Sequence, residues 1–276
     1  DKRYVFGVDP ASEVDNFSIV VLEVNADHRK VVHCWTTTRQ QHKDQLRSKI
    51  VDEDDFYSYC AKKIRQLMKV FPCVEIALDA QGGGIAVMEA LHDKDKIGEG
   101  ELPIWPVVED KEKDTDDHAG LHILRLCQFA RADWLAEANH GLRKDFEDKI
   151  VLFPYFDSAS LGIALETDKA SGRRYDTLED CVMEIEELKD ELSMIIMTQT
   201  STGRERWDTP EVKTGTGRKS RIRKDRYSSL IMANMSARLI LVEREMPNHA
   251  FGGFAEQNAS MFSNAELFQG PAWFTD

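Results

Sequence analysis

Apolar residues run from Tyr4 to Val8 and the run closes on Asp9-Pro10. A run of this kind predicts a strand inside a core, with a carboxylate where the chain leaves it. Two further runs follow, Phe17 to Val24 and Val31 to Thr37, each set off by a polar turn. Connections this short predict an antiparallel meander of three strands. From about Asp54 to Val70 the apolar positions recur at spacings of three and four, through Phe56, Cys60, Ile64 and Leu67, which predicts a helix ended by Pro72. Val74 to Asp79 predicts a second strand closing on a carboxylate. Gly82-Gly83-Gly84 then turns the chain into a helix that carries Val87 and Leu91. Leu102 to Val108 contains Pro103 and Pro106 and reads as a strand near a sheet edge.

The second half is read in the same way. It predicts a helix from about His118 to Ala138, a short strand over Ile150 to Pro154, and loops from Asp157 to Tyr175. A long acidic helix is predicted from Thr177 to about Ile196, followed by a hairpin over Thr198 to Asp208. Pro210 to Ser220 reads as a polar, mobile connection, and a last helix runs from Asp225 to about Arg244. A meander followed by strand-helix units implies an α/β protein: one mixed sheet, antiparallel in its meander and parallel beyond it, with helices on both faces. The domain is expected to span residues 1–246, with 247–276 as a C-terminal tail of no clear period.

Composition changes this picture little. The 276 residues are 42% hydrophobic, enough for a core, and no apolar run reaches the roughly 18 residues of a membrane helix. The five cysteines are odd in number and lack a Cys-x-x-Cys pair, so they read as buried thiols in a reducing compartment and argue against a cysteine-bound zinc. The start at the lip of a strand, without Met or a signal peptide, reads as an excised domain.

Charge changes it more. A net charge of −13 repels nucleic acid on average, yet Lys213, Arg218, Lys219, Arg221, Arg223, Lys224 and Arg226 fall within one short span whose only acid is Asp225. Such a run holds phosphates by counterion release, or else is a solvated loop. Arg204 and Arg206 on the predicted hairpin would extend the same surface.

Asp9 and Asp79 each close a buried strand. If those strands are parallel neighbours, both carboxylates emerge at one sheet edge, where α/β proteins place their sites. Paired carboxylates repel unless a cation sits between them, and oxygen ligands select Mg²⁺ or Mn²⁺. Asp225, at the start of the last helix, is a third ligand or a helix cap. Asp15, in the first turn, is an outer ligand or a turn residue. Other signals are weaker. Gly82-Gly83-Gly84 lacks the Lys-Ser/Thr of a phosphate loop, and His118 and His122, four apart on the predicted helix, lack the Glu of a zinc protease.

The order of these motifs resembles the nuclease domain of tailed-bacteriophage terminase large subunits, a ribonuclease H-like fold. The likeness rests on Val5–Ala11, Ile76–Asp79 with its glycine turn, Ile150–Pro154, Glu187–Leu192, and Lys224–Leu230, and it covers most of residues 1–244. The stretch from Tyr155 to Gly217 is longer than a compact member would have. The resemblance implies that Asp9, Asp79 and Asp225 are metal-binding carboxylates holding two Mg²⁺ or Mn²⁺ ions. The implied activity is an endonuclease that cuts concatemeric double-stranded DNA during genome packaging. It further implies an ATPase domain ahead of this one, the small terminase subunit and the portal as partners, and the cytoplasm of an infected bacterial host. Three rivals stay open: a junction resolvase or transposase of the same fold, a non-catalytic DNA-binding or motor-docking module, and a phosphotransferase of the actin-like clan, whose paired phosphate loops are missing.

Overall fold

The computed structural model describes residues 2–10, 16–108, 118–129, 131–172, 176–213 and 219–245. The chain opens with strands β1 (Arg3–Asp9), β2 (Phe17–Val24) and β3 (Arg29–Thr37), then helices α1 (Arg39–Arg47) and α2 (Phe56–Val70). Strand β4 (Cys73–Asp79), helix α3 (Gly84–His92), strands β5 (Ile104–Pro106) and β6 (Leu121–Cys127), and helix α4 (Ala132–Glu147) follow. Next come β7 (Val151–Leu152), α5 (Ser158–Ala170), α6 (Leu178–Met194), β8 (Ile196–Gln199) and β9 (Glu205–Asp208). The last elements are β10 (Glu211–Lys213), β11 (Lys219–Arg221) and α7 (Asp225–Glu245).

The main sheet has the order β5-β6-β4-β1-β2-β3-β7. The meander is antiparallel, as its short turns require, with Asp9 opposite Ser18 and Phe17 opposite Thr37. On the other side of β1, β4 pairs in parallel and sets Val8 beside Leu78, so the two strands end together at Asp9 and Asp79. Beyond β4 lie β6 and the edge strand β5, both parallel. The proline-bearing segment is therefore at the edge, where a missing amide costs no ladder bond.

Side-chain alternation on β1 builds two cores. Tyr4, Phe6 and Val8 pack with Phe56, Ile64 and Leu67 of α2 and Leu91 of α3. Val5 packs on the opposite face with Ile185 and Leu188 of α6 and Leu230 and Ala233 of α7. That second face also holds a buried polar network. Asp145 of α4 accepts from Arg29 at 2.8 Å, from Arg238 at 2.8 Å and from Asn234 at 2.8 Å, tying α4, α7 and β3 together.

The structure departs from the sequence reading in four places. Leu121–Cys127 is a strand and not the start of a helix. Strand β6 lies between β4 and β5, and its adjacent Ile123 and Leu124 are both buried, so its apolar run shows no clean period of two. His122 is consequently on a strand and His118 in the loop before it, and the predicted helical pair does not form. The segment expected to be loops contains α5, whose stripe is poor because Ile163 is 66% exposed. Pro210 to Ser220 includes a second hairpin, β10 with β11. Finally, α1 was not foreseen: His42 is its one buried residue, and a capping box of Thr38 with Gln41 starts it. All five cysteines are buried and free.

The ring nitrogen Nε2 of His33 is buried without a hydrogen-bond partner, where α6 covers β3, and its Nδ1 meets the Cys181 thiol at 3.5 Å. Burial pushes this imidazole from its ordinary 6.5 down to about 4; Lys63 adds to the fall and Asp176 opposes it. The unfolded chain therefore takes up this proton first. Stability from this group is complete above pH 6.5 and is lost as pH falls through about 4. A loss on the order of 3 kcal/mol between those limits is expected. Urea titrations of the wild type and His33→Gln should show it, the variant lacking that part of the acid slope.

Candidate active site

Three acidic residues singled out by the sequence, Asp9, Asp79 and Asp225, end or begin elements at one end of the sheet, each on a different element. Asp9 ends β1. Val5 and Gly7 on that strand face α7, so alternation directs Asp9 to the same side. Asp79 ends β4, and Ala77 two residues earlier packs on Met232 of α7, which places Asp79 on that side as well. Asp225 is the first residue of α7, and its Oδ2 accepts the amide of Asn16, just before β2, at 3.1 Å.

One close approach sets the position of α7. A Cβ built on Gly7 would lie 1.8 Å from the carbonyl oxygen of Ser229, so only glycine lets the helix backbone sit this close to β1. Ser229 also donates its hydroxyl to the Ser18 carbonyl at 3.1 Å. Ser18 faces Asp9 across the β1–β2 ladder, and Ser229 is one helical turn beyond Asp225. The start of α7 is thus pinned over the end of β1.

On the other flank, Asp79 Oδ1 accepts the Gln81 amide at 3.1 Å. Gly82 takes a positive φ of 56°, and a Cβ on Gly84 would lie 1.9 Å from the Asp79 carbonyl, so the glycine turn folds α3 directly onto the strand end. Burial raises the Asp79 carboxyl above its ordinary 3.8, and the Gln81 amide only partly offsets this. The backbone thus gathers the three positions on one face and at one edge. Among the described residues, which include all three aspartates, no group of three or more His, Cys, Asp or Glu side chains is placed so as to hold a metal ion. Asp15 lies outside the described residues.

The basic run divides. Arg226 is committed to the interior: its Nε donates to Glu184 at 2.6 Å and its Nη1 to Glu191 at 2.8 Å, both on α6. Glu191 also accepts the Tyr227 amide at 2.8 Å, a carboxylate at the positive end of α7. Burial pushes Glu191 up to about 7 against the pull of Tyr227 and Arg226. Arg226 is raised: burial lowers it, and Glu184 and Glu191 more than offset that. Arg223 donates to the Asn16 side chain at 2.8 Å and thereby braces the residue that holds Asp225. Lys224 donates to the Trp207 carbonyl at 2.9 Å and pairs with Asp208 at 3.3 Å, linking α7 to the β8–β9 hairpin. Arg204 and Arg206 are exposed on that hairpin, Arg206 pairing with Asp208 at 3.2 Å. Lys213, Lys219 and Arg221 lie on the β10–β11 hairpin, and their side chains, like the whole of Arg218, fall outside the described residues. Asn16, Glu184 and Glu191 hold the start of α7. Asn16 carries no motif, Glu184 is visible only as a member of an acidic helix, and Glu191 falls in the Glu187–Leu192 stretch of the resemblance, which assigned it no role of its own.

A meander β3-β2-β1 continued by parallel β4 and β6, with helices packed on both faces, is the mixed α/β sheet that the sequence predicted, and it carries acidic residues at the ends of β1 and β4 and at the head of α7. No protein-family model matches the sequence, and no curated protein does either. Among solved structures the chain is similar to the large terminase nuclease from thermophilic phage G20c with bound magnesium. That match covers 85% of this chain and 82% of the other at 13% identity, with a TM-score of 0.49. A second structure of the G20c nuclease matches over the same shares at 12% identity and a TM-score of 0.47. The HK97 bacteriophage large terminase matches over 86% of this chain and 40% of its own length, at 12% identity and a TM-score of 0.35.

Proposed function

We propose that this domain is a divalent-metal-dependent DNA endonuclease of the terminase type, cutting double-stranded DNA at the edge marked by Asp9, Asp79 and Asp225. The observation that carries the reading is the convergence of two strand ends and one helix start on one face, fixed by the Gly7–Ser229 contact. The donor set suits Mg²⁺ or Mn²⁺: three carboxylates, with no thiol or imidazole among them. Asp79, raised by burial and eased by one amide, is a carboxylate that a cation would complete.

Asp9 would be the shared ligand, since β1 lies between β4 and the start of α7, with Asp79 and Asp225 on either side. A bound metal pair would polarise the scissile phosphate and clamp the attacking and leaving oxygens. The chain's own cations would position the duplex through its phosphates without reading sequence. The packaging role, the ATPase domain in the same polypeptide and the infected bacterial cytoplasm rest on the order of the motifs.

The reading is tested by incubating the protein with supercoiled plasmid in Mg²⁺, Mn²⁺ or EDTA. Metal-dependent nicking supports it, and its absence with both metals refutes it. A four-way junction cut in strong preference to linear duplex would assign the domain to the junction resolvases instead.

The division of the basic run gives a separate expectation. Arg204→Gln should lower the slope of log affinity for duplex DNA against log salt by about 0.9. Arg226→Gln should leave that slope unchanged, because its guanidinium belongs to Glu184 and Glu191. Fluorescence anisotropy over a salt series, in Ca²⁺ to avoid cutting, measures both.

A further inference from the structure

Helix α1 opens at Arg39, two residues after β3 ends. Strand β3 runs in the same direction as β1 and lies two strands away, about 10 Å across the sheet. Thr37 is opposite Phe17 and Asp9 is opposite Ser18, so Arg39 leaves the sheet at the end that carries Asp9. Its side chain turns to the face covered by α2 and α3, away from α7. The guanidinium carbon lies 4.7 Å from the centre of the Phe56 ring and 4.8 Å from that of Tyr57. Tyr57 in turn packs on the glycine turn, where a Cβ on Gly83 would collide with its phenol. The next residue, Gly84, sits against the Asp79 carbonyl, and a Cβ there would lie 3.6 Å from Pro10. A continuous row of contacts thus runs from Arg39 to the two strand exits.

This arginine lacks what comparable ones have. Arg29, Arg39 and Arg65 each bury Nε without a hydrogen-bond partner. Arg29 compensates by donating to Asp145 and Asn234, and Arg65 by donating to the carbonyls of Leu91 and Leu102. Among the described residues, nothing accepts from any nitrogen of Arg39 and no carboxylate lies within ion-pair reach of it; its contacts are the two rings. Asp55 shares its field, but the Asp55 carboxylate is taken up by the amide and hydroxyl of Ser58. Aromatic rings engage the flat face of a guanidinium and leave its edge, where the N–H groups lie, for an anion. Seating the group on two rings also fixes it in advance, so little side-chain freedom is lost when the anion arrives. A phosphate accepting across that edge would supply the missing partners.

We propose that Arg39 grips a backbone phosphate of the duplex on the α2–α3 flank of the cutting edge. The inference rests on the nuclease reading and deepens it. The cations of the β8–β9 hairpin hold the DNA on the α7 face and Arg39 holds it on the other, so the duplex lies across the strand exits and not along α7 alone.

Binding of a short duplex is measured by fluorescence anisotropy over a salt series in Ca²⁺, with thermal melts of each variant. Arg39→Gln should lower the slope of log affinity against log salt by about 0.9. Arg39→Lys should keep the slope and bind more weakly than the wild type, because lysine retains the charge and loses the paired donors. Arg47→Gln should change neither; Arg47 is exposed in the last turn of the same helix and paired with Asp44 at 3.3 Å. A second measurement needs no variant: phenylglyoxal modification of wild-type arginines, read by mass spectrometry, should be slowed by the duplex at Arg39 and not at Arg47. A folded Arg39→Gln protein with the wild-type slope, or equal modification of Arg39 with and without DNA, would overturn the proposal while leaving metal-dependent nicking by the wild type intact. Loss of the slope with no nicking by the wild type would uphold the phosphate contact and refute the nuclease, and a wild type that binds no duplex would refute both.

Discussion

Asp9→Asn is expected to reduce metal-dependent plasmid nicking by about a thousandfold or more, while the protein melts within a few degrees of the wild type. Asparagine keeps the shape of the side chain and its place at the end of β1 but gives up the charge that two cations would share. Metal assistance contributes several kcal/mol to the transition state, and each 1.36 kcal/mol is a factor of ten. The fold should tolerate the change because Asp9 is only half-buried and ends a strand whose core residues, Val5, Phe6 and Val8, are untouched. Nicking gels with Mg²⁺ and with Mn²⁺, alongside thermal melts, separate a lost site from a lost fold. An Asp9→Asn protein that cuts like the wild type would remove Asp9 from the chemistry.

Gly7→Ala is expected to be the most damaging small substitution in the core. Its new methyl would sit 1.8 Å from the Ser229 carbonyl oxygen and 3.0 Å from the Ala233 methyl, and the nearer obstacle is helix backbone that cannot rotate away. Either α7 lifts from the sheet or β1 bends, at a cost of about 3 kcal/mol or more, the upper end for overpacking a core. For a domain of this size that corresponds to a fall in Tm of roughly 6–12 °C. The same displacement moves Asp225 away from Asp9 and Asp79, so activity at a temperature where the variant is still folded should fall as well. Calorimetry and nicking on one preparation check both, and a neutral Gly7→Ala would mean that α7 does not pack on β1 as described.

The candidate site was legible in the sequence only as far as its positions are strand exits and a helix start. Asp9 follows the apolar run Tyr4–Val8 and Asp79 the shorter run Ile76-Ala77-Leu78, and such runs are a direct record of burial, so their shared edge needed only the parallel pairing of β1 and β4 to become a place. Asp225 was marked by the helix it opens. What the sequence could not show is which basic side chains stay on the surface. Arg226 looks like its neighbours in the run, and only the packing of α6 against α7 reveals Glu184 and Glu191 opposite it. The fold was hidden where an element's stability comes from neighbours. Strand β6 has lost its alternation between two other strands, α5 has no clean stripe, and β10–β11 is a hairpin whose strands hold a single apolar residue, Val212. Helix α1 did carry a local signal, Thr38 three residues before Gln41, but one buried residue left no periodicity to support it.

Whether Asp9, Asp79 and Asp225 together bind a divalent-metal pair is decided most directly by titrating the wild type and each Asp→Asn variant with Mn²⁺ in a calorimeter. Binding of about two ions is expected in the wild type, with at least one ion lost in each of the three variants and the fold retained by circular dichroism. Mn²⁺ binding unchanged by Asp79→Asn or Asp225→Asn, or no binding to the wild type at all, would contradict the assignment.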